Sequence, residues 1–305
     1  MTPGALLLRF RQKWGKGLAV AYWRDWVRPK ILHAAPICDN NDSTCEIHCL
    51  TCAGDWLNLI WALYSFYKIS NRHYKLCIHE DGSLGPEAKD HLRRLFPLAR
   101  LIERADADQA MQKILANHPH SAKYRNSNNL AIKVFDFFHY LEAERMFLFD
   151  SDLLFFATPE VLLTRIENTA YKLNSENRDM STAYTVSTKE LEKHLRFAII
   201  EQFNSGLALI HKQSYDLDLV ETALQIPGFL SHFWRIEQTI FAILSSRFGV
   251  EHLPSEYDVR LGKGMEGLPS RHYVGAIRHL FYSEGIRYLY TSSDLLRGGP
   301  SLRSG

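Results

Sequence analysis

The chain has no apolar run near the roughly eighteen residues that a membrane span needs. The best candidates, 59–67 and 146–157, are short, and acids interrupt the second. It has almost no surplus of charge. Lysine and arginine number 36 against 34 acids, a formal +2, which argues against a protein that coats nucleic acid. It lacks an even set of cysteines, having five (Cys38, Cys45, Cys49, Cys52 and Cys77), and Arg9 follows Met1 too soon for a signal-peptide core. A reducing, cytoplasmic setting is therefore expected. Repeats and low-complexity tracts are also missing. What is present is ordinary globular composition, 46% apolar and 23% charged over 305 residues, enough for a large core without staples.

The clustered cysteines raise the question of zinc, with Cys49 and Cys52 as a CxxC. A second spaced pair is absent, and Cys45, Ile47 and Cys49 alternate as one face of a strand should. Buried strand thiols are the expectation. Charge is unevenly placed. Residues 1–30 carry seven basic side chains against Asp25, together with Trp14, Trp23 and Trp26. Basic residues among Leu, Phe and Trp suit contact with an anionic membrane surface. The plainer reading, favoured because Gly15 and Gly17 break the pattern, is an amphipathic segment packed on the domain.

From Cys45 the chain changes character, after a polar cluster at 36–44. Strands are expected at 45–52, 75–79, 101–103 and 145–149, and helices at 55–69, 85–98 and 129–141. Strand alternating with helix predicts an α/β protein with a mostly parallel sheet. The expected organisation is a basic, aromatic extension over 1–44 and one large domain over 45–290. That domain divides after the apolar run that ends in Asp150-Ser151-Asp152, into 45–152 and 153–290. A tail spans 291–305.

Three Asp-x-Asp triplets occur. Asp106–Asp108 lies in a polar stretch with no strand running into it, and Asp216–Asp218 reads as the acidic start of a helix. Both are expected to be structural. Asp150-Ser151-Asp152 differs, because MFLF precedes it and LLFF follows. Two carboxylates inside an apolar run need compensation. They fall where a core strand ends, which is where open α/β sheets bind ligands. Oxygen ligands there suit Mg²⁺ or Mn²⁺ beside a phosphate. The competing structural role is a strand-end turn capped by Asp150.

The segment FLFDSDLLFF resembles the signature of GT-A-fold glycosyltransferases, whose DxD holds the divalent ion on a nucleotide-sugar diphosphate. Further segments resemble the same group in order. Cys45–Cys52 with its following helix looks like the first nucleotide-binding βα unit. The helix with Lys133 looks like the one whose basic residue contacts the donor. Phe203-Asn204-Ser205-Gly206-Leu207 resembles the strand facing the donor sugar, and Glu237-Gln238 an acidic-Gln pair. His272 to Arg278 resembles the HxxGxxK motif of glycogenin-like and lipooligosaccharide-galactosyltransferase-like retaining enzymes. Arg278 stands for the usual Lys and Glu237 for the usual Asp.

The resemblance implies a GT-A-type domain that moves a sugar from a nucleoside diphosphate, uridine by default, to a hydroxyl acceptor with retention. Its 45–152 half would bind the nucleotide, and its 153–290 half the sugar and acceptor. The acceptor would be a saccharide, a lipid-linked glycan or a protein. Asp150, Asp152 and His272 would hold Mn²⁺ or Mg²⁺, with His279 a rival to His272. Thr51, Asp55, Lys133, Ser151, Gly275 and Arg278 would bind the donor, and Glu237, Gln238 and Asn204 would serve catalysis. Two other readings stand beside it: a haloacid-dehalogenase-like phosphatase, disfavoured because Leu154 and a preceding α/β half do not fit, and a sugar-nucleotide sensor without turnover. Gly262–Gly267 spells GxGxxG, but Leu268-Pro269 follows instead of a helix, so a flexible loop is expected there, one that folds over bound donor.

Overall fold

A computed structural model describes residues 14–40 and 44–292. Its strands are β1 (Cys45–Thr51), β2 (Lys75–Glu80), β3 (Arg100–Ile102), β4 (Arg145–Phe149), β5 (Leu153–Phe155), β6 (Asn174–Arg178), β7 (Phe203–His211), β8 (Val250–His252) and β9 (Ser270–His272). The main helices are α1 (Leu18–Tyr22), α2 (Trp56–Ser70), α3 (Pro86–Leu95), α4 (Arg104–Ile114), α5 (Pro119–Ser127) and α6 (Ala131–Tyr140). They continue with α7 (Glu160–Glu167), α8 (Thr188–Leu195), α9 (Leu217–Leu224) and α10 (Ile236–Phe248).

Seven strands form one sheet in the order β3-β2-β1-β4-β7-β6-β8. The first four run parallel, as does β6 with β8, whereas β7 is antiparallel to both β4 and β6. The expected α/β class with a mostly parallel sheet is what forms. β1, β4 and β7 are buried nearly throughout, because helices cover both faces. One core includes α2 with Phe147 and Phe149, and the other includes α6 and α10 with Met146 and Leu148.

Within residues 1–44, Val20, Val27, Ile31, Ala34 and Ile37 join the first core, and Trp61 Nε1 donates to the Arg28 carbonyl at 2.9 Å. α1 begins after Gly17, whose φ of 98° favours glycine, so the pattern breaks there as the sequence suggests. Cys45 and Cys49 share the first core with Ile47. On the opposite face His48 Nε2 lies 3.2 Å from Glu46, and His48 Nδ1 lies 3.1 Å from His79 Nε2. Cys77 Sγ is 3.4 Å from His79 Nε2. These three could hold a metal by proximity alone, without Cys49 or Cys52. Burial keeps both imidazoles neutral and pushes the Cys77 thiol up, and hydrogen bonds link them within the core.

Asp106 and Asp108 lie inside α4, not at a strand end, and Asp108 accepts from Arg104 at 2.6 Å, the structural role expected of them. Asp216 caps α9 as expected, accepting from Leu219 N at 2.9 Å.

A second, two-stranded sheet positions the site. β5 pairs antiparallel with β9 so that Leu153 faces His272, and Tyr273 N donates to Asp152 O at 2.8 Å. The chain thereby returns a distant histidine to the end of β4.

Candidate active site

β4 ends at Phe149, and Asp150 N donates to Gly206 O of neighbouring β7 at 2.9 Å. A turn closed by Leu153 N on Asp150 O, 3.2 Å, leads into β5. Asp150 and Asp152 flank this turn with the buried Ser151 between them. His272 Nε2 lies 3.0 Å from Asp152 Oδ1 and 3.8 Å from Asp150 Oδ2. The three residues offer ligand atoms within 4.8 Å of one another.

Asn204 decides what His272 can do. Its Nδ2 donates to Asp179 Oδ2 at 3.1 Å, so its Oδ1 faces His272 Nδ1 at 3.0 Å and accepts from Gly206 N at 3.0 Å. The Nδ1 proton is thus held by Asn204, and Nε2 points a lone pair at the Asp152 carboxylate. Lone pairs that close require a proton or a cation between them. Burial, the largest influence on His272, works against the imidazolium, but the charges of Asp152 and Asp150 outweigh it and raise the pKa. Burial also works to raise Asp152, yet His272 and Arg278 bring it down to about 2. Two carboxylates and an imidazole are a donor set that suits Mn²⁺ or Mg²⁺, so the residues present fit a divalent ion.

Lys133, on α6, is almost fully buried. Its Nζ lies 2.9 Å from both Asp150 Oδ1 and Glu237 Oε1, and it donates to Ser205 O at 3.2 Å. Burial disfavours this ammonium most, but the two carboxylates raise its pKa and keep it charged. Glu237 also accepts from Ser205 Oγ at 2.8 Å, and burial raises its pKa despite Lys133. Arg278 reaches in from the turn after Gly275–Ile277, with Nη1 3.0 Å from Asp55 Oδ2 and Nη2 2.5 Å from Asp152 Oδ2.

A cleft of about 370 Å³ opens beyond the carboxyl ends of β1, β2 and β4. Thr51, Asp55, Lys133, Asp150, Ser151, Asp152 and Arg278 all line it. Thr51 Oγ1 is buried there without a hydrogen-bond partner. Other expected site residues, the buried His272 and Asn204 among them, lie off the cleft wall. Glu237 is held behind Lys133, and Gln238 Nε2 lies 3.4 Å from Asp179 Oδ2 and from Ala183 O. Gly275 is exposed, and a Cβ there would meet open space. His279 lines a different cavity with Lys16 and Lys263, which leaves His272 as the histidine beside the aspartates.

Sequence reasoning missed four features. Asp179 orients Asn204, and Asn129 links the cleft to Asp81 at 3.1 Å. Phe233 and Trp234 form part of the cleft wall. Gly206 is required sterically, since a Cβ there would fall 2.0 Å from His272 Cε1.

Neither a family model nor the sequence of a curated protein matches the chain. Solved structures do resemble it. The galactosyltransferase LgtC in complex with donor and acceptor sugar analogs is 13% identical at a TM-score of 0.54, over 84% of this chain and 98% of that one. An active-site mutant of LgtC aligns at 0.56 with the same identity and coverage. The bifunctional glycosyltransferase WbbM aligns at 0.50 and 14% identity, over 79% of this chain and 47% of that one. At such identities the likeness is one of fold, and by that measure the chain has the GT-A fold.

Proposed function

We propose that this protein is a metal-dependent glycosyltransferase that moves a sugar from a nucleoside-diphosphate sugar to a hydroxyl acceptor. The observation that carries the reading is the convergence of Asp150, Asp152 and His272 at the cleft, with Asn204 fixing the His272 tautomer that leaves Nε2 free to ligate. Uridine as the base, and retention at the anomeric carbon, rest on the resemblance of the motifs.

A divalent ion held by these three residues would neutralise charge gathering on the leaving diphosphate. Arg278 adds a fixed cation at the same carboxylate edge and is suited to hold the diphosphate. Thr51 and Asp55, at the end of β1, offer a free hydroxyl and a carboxylate for the base and ribose, and Ser151 lines the donor side. Lys133 fixes Asp150. Glu237 and Gln238 act from one layer back, through Lys133 and Asp179, while Asn204 positions His272. Gly275 opens the exposed turn that leads into Arg278, the residue that would hold the phosphates.

Donor incubated with Mn²⁺ should release the nucleoside diphosphate, its sugar passing to water where no acceptor is supplied. Release of inorganic phosphate from simple phosphate esters, without nucleoside diphosphate, would support the phosphatase instead.

The raised His272 pKa gives the site a pH signature. The ion competes with the Nε2 proton, so Mn²⁺ affinity should fall about tenfold for each pH unit below that pKa and level off above it. Calorimetric titrations at several pH values check this; affinity flat through the histidine range would remove His272 from the ligand set.

A cytoplasmic setting, with peripheral contact to the membrane through residues 1–30, belongs to the same reading. Leu18, Tyr22 and Trp26 recur every fourth residue and are 75, 52 and 73% exposed. Residues 1–13 lie outside the described residues. In flotation with anionic vesicles, L18S/Y22S/W26S should lose most binding; undiminished flotation would end the membrane role.

A further inference from the structure

The loop between α9 and α10 is exposed from Leu230 to Arg235, yet it contains Leu230, Phe233 and Trp234. Trp234 is 76% exposed, and its ring meets Phe233 edge to face with centroids 5.0 Å apart. A single exposed aromatic needs no explanation, but adjacent aromatics at the rim of a cleft that also holds four aspartates do. Asn128 Nδ2 donates to Phe233 O at 2.9 Å, and Arg235 N to His232 O at 3.0 Å. The loop is thereby tied to the start of α6 and runs directly into α10.

Position selects the occupant. Thr51, Asp55 and Asp81 approach the cleft from the ends of β1 and β2, and the aspartate pair from the end of β4. Phe233 and Trp234 enter from the loop before α10, a helix that packs on β7, at the other side of β4. A nucleotide held at β1 with its diphosphate at Asp150 and Asp152 directs its sugar toward that side. The aromatic faces are then where the acceptor must approach. Rigid aromatic rings offer large contact area at low entropic cost, and the apolar C–H face of a pyranose matches them.

We propose that Trp234, supported by Phe233, is the platform on which the acceptor binds, and that the acceptor is a saccharide whose ring stacks on the indole. This rests on the glycosyltransferase reading and narrows its acceptor to a sugar.

The test uses the full chain with Mn²⁺ and uridine diphosphate, and methyl glycosides of glucose, galactose, mannose, xylose and N-acetylglucosamine as probes. Saturation-transfer NMR reads which ring protons touch the protein, and the melting midpoint reads nucleotide binding. At least one glycoside should receive saturation on its C–H face in the wild type. Trp234→Ala should weaken that binding about tenfold or more, and Trp234→Phe should restore most of it. The metal-dependent nucleotide shift should persist in both variants. Absence of binding by every glycoside in the wild type would overturn the proposal, as would glycoside binding indifferent to Trp234→Ala. Loss of the nucleotide shift instead would assign Trp234 to the base. A wild type without any nucleotide shift would overturn the transferase reading itself, whereas a normal shift with indifferent glycosides would remove only the platform.

Discussion

Gly206→Ala should weaken metal binding about a hundredfold in a protein that still folds. The added methyl would lie 2.0 Å from His272 Cε1, 2.4 Å from Nδ1 and 2.8 Å from Nε2, well inside contact distance. The Gly206 backbone is ordinary strand without positive φ, so alanine is tolerated conformationally and the conflict is purely steric. His272 has little room to yield. It sits in β9 opposite Leu153, with its ring held by Asn204 on one nitrogen and Asp152 beside the other. Displacing the ring breaks the Asn204 contact and moves Nε2 away from the carboxylates. Overpacking of this kind costs roughly 1–3 kcal/mol of stability. Loss of an oriented ligand should cost Mn²⁺ affinity about a hundredfold or more. Calorimetry measures the affinity and urea unfolding the stability. Gly85→Ala, where a Cβ meets open space, is the control and should bind Mn²⁺ normally. In a His272→Ala background the clash is gone, so Gly206→Ala should then cost little further stability. Equal costs in both backgrounds would place the strain elsewhere.

Asp152→Asn should remove transfer almost completely. The carboxylate is almost fully buried and is shared between His272 and Arg278. The substitution keeps the shape and deletes the charge, so Arg278 retains only Asp55 as an acidic partner and His272 loses the nearer of its two carboxylates. Transition-state stabilisation by such fixed charges is worth about 10²–10³ in rate for one contact, and loss of a ligand adds to that. A fall of at least about a thousandfold in nucleoside diphosphate release is expected. Asp218→Asn, in the exposed first turn of α9, should leave the rate unchanged. A rate within tenfold of wild type in Asp152→Asn would contradict the assignment of the metal.

How much of this was legible in the sequence depended on how local each signal is. The core strand before Asp150 and the helix bearing Lys133 show in hydrophobic spacing alone, since their burial pattern follows from period and length. Helix ends shift by one to three residues; α2 begins at Trp56, α3 stops at Leu95, and α6 begins at Ala131, after the Asn128 side chain has turned the chain. Asp150 and Asp152 stood out because acids are costly in an apolar run. His272 was reached only through resemblance to a motif, because its place depends on β5–β9 pairing between segments far apart in sequence. Gly206 belongs to a motif in the sequence, but its necessity exists only once His272 lies against it. Phe233 and Trp234 carry no periodic signal, and an aromatic pair in sequence reads as core until the loop is seen to face outward. Gln238, expected at the sugar, is turned toward Asp179, a partner that no spacing rule marks.

The central claim is that Asp150, Asp152 and His272 form one donor site with a divalent ion and a nucleoside diphosphate. Thermal unfolding with a panel of nucleoside diphosphates, each with and without Mn²⁺, tests it most directly, because a ligand bound only to the folded state raises the midpoint by mass action. A rise for one nucleotide that needs Mn²⁺ and disappears in Asp152→Asn is the expected result. An unchanged midpoint for every nucleotide with Mn²⁺ present, or a rise that persists in Asp152→Asn, would contradict it.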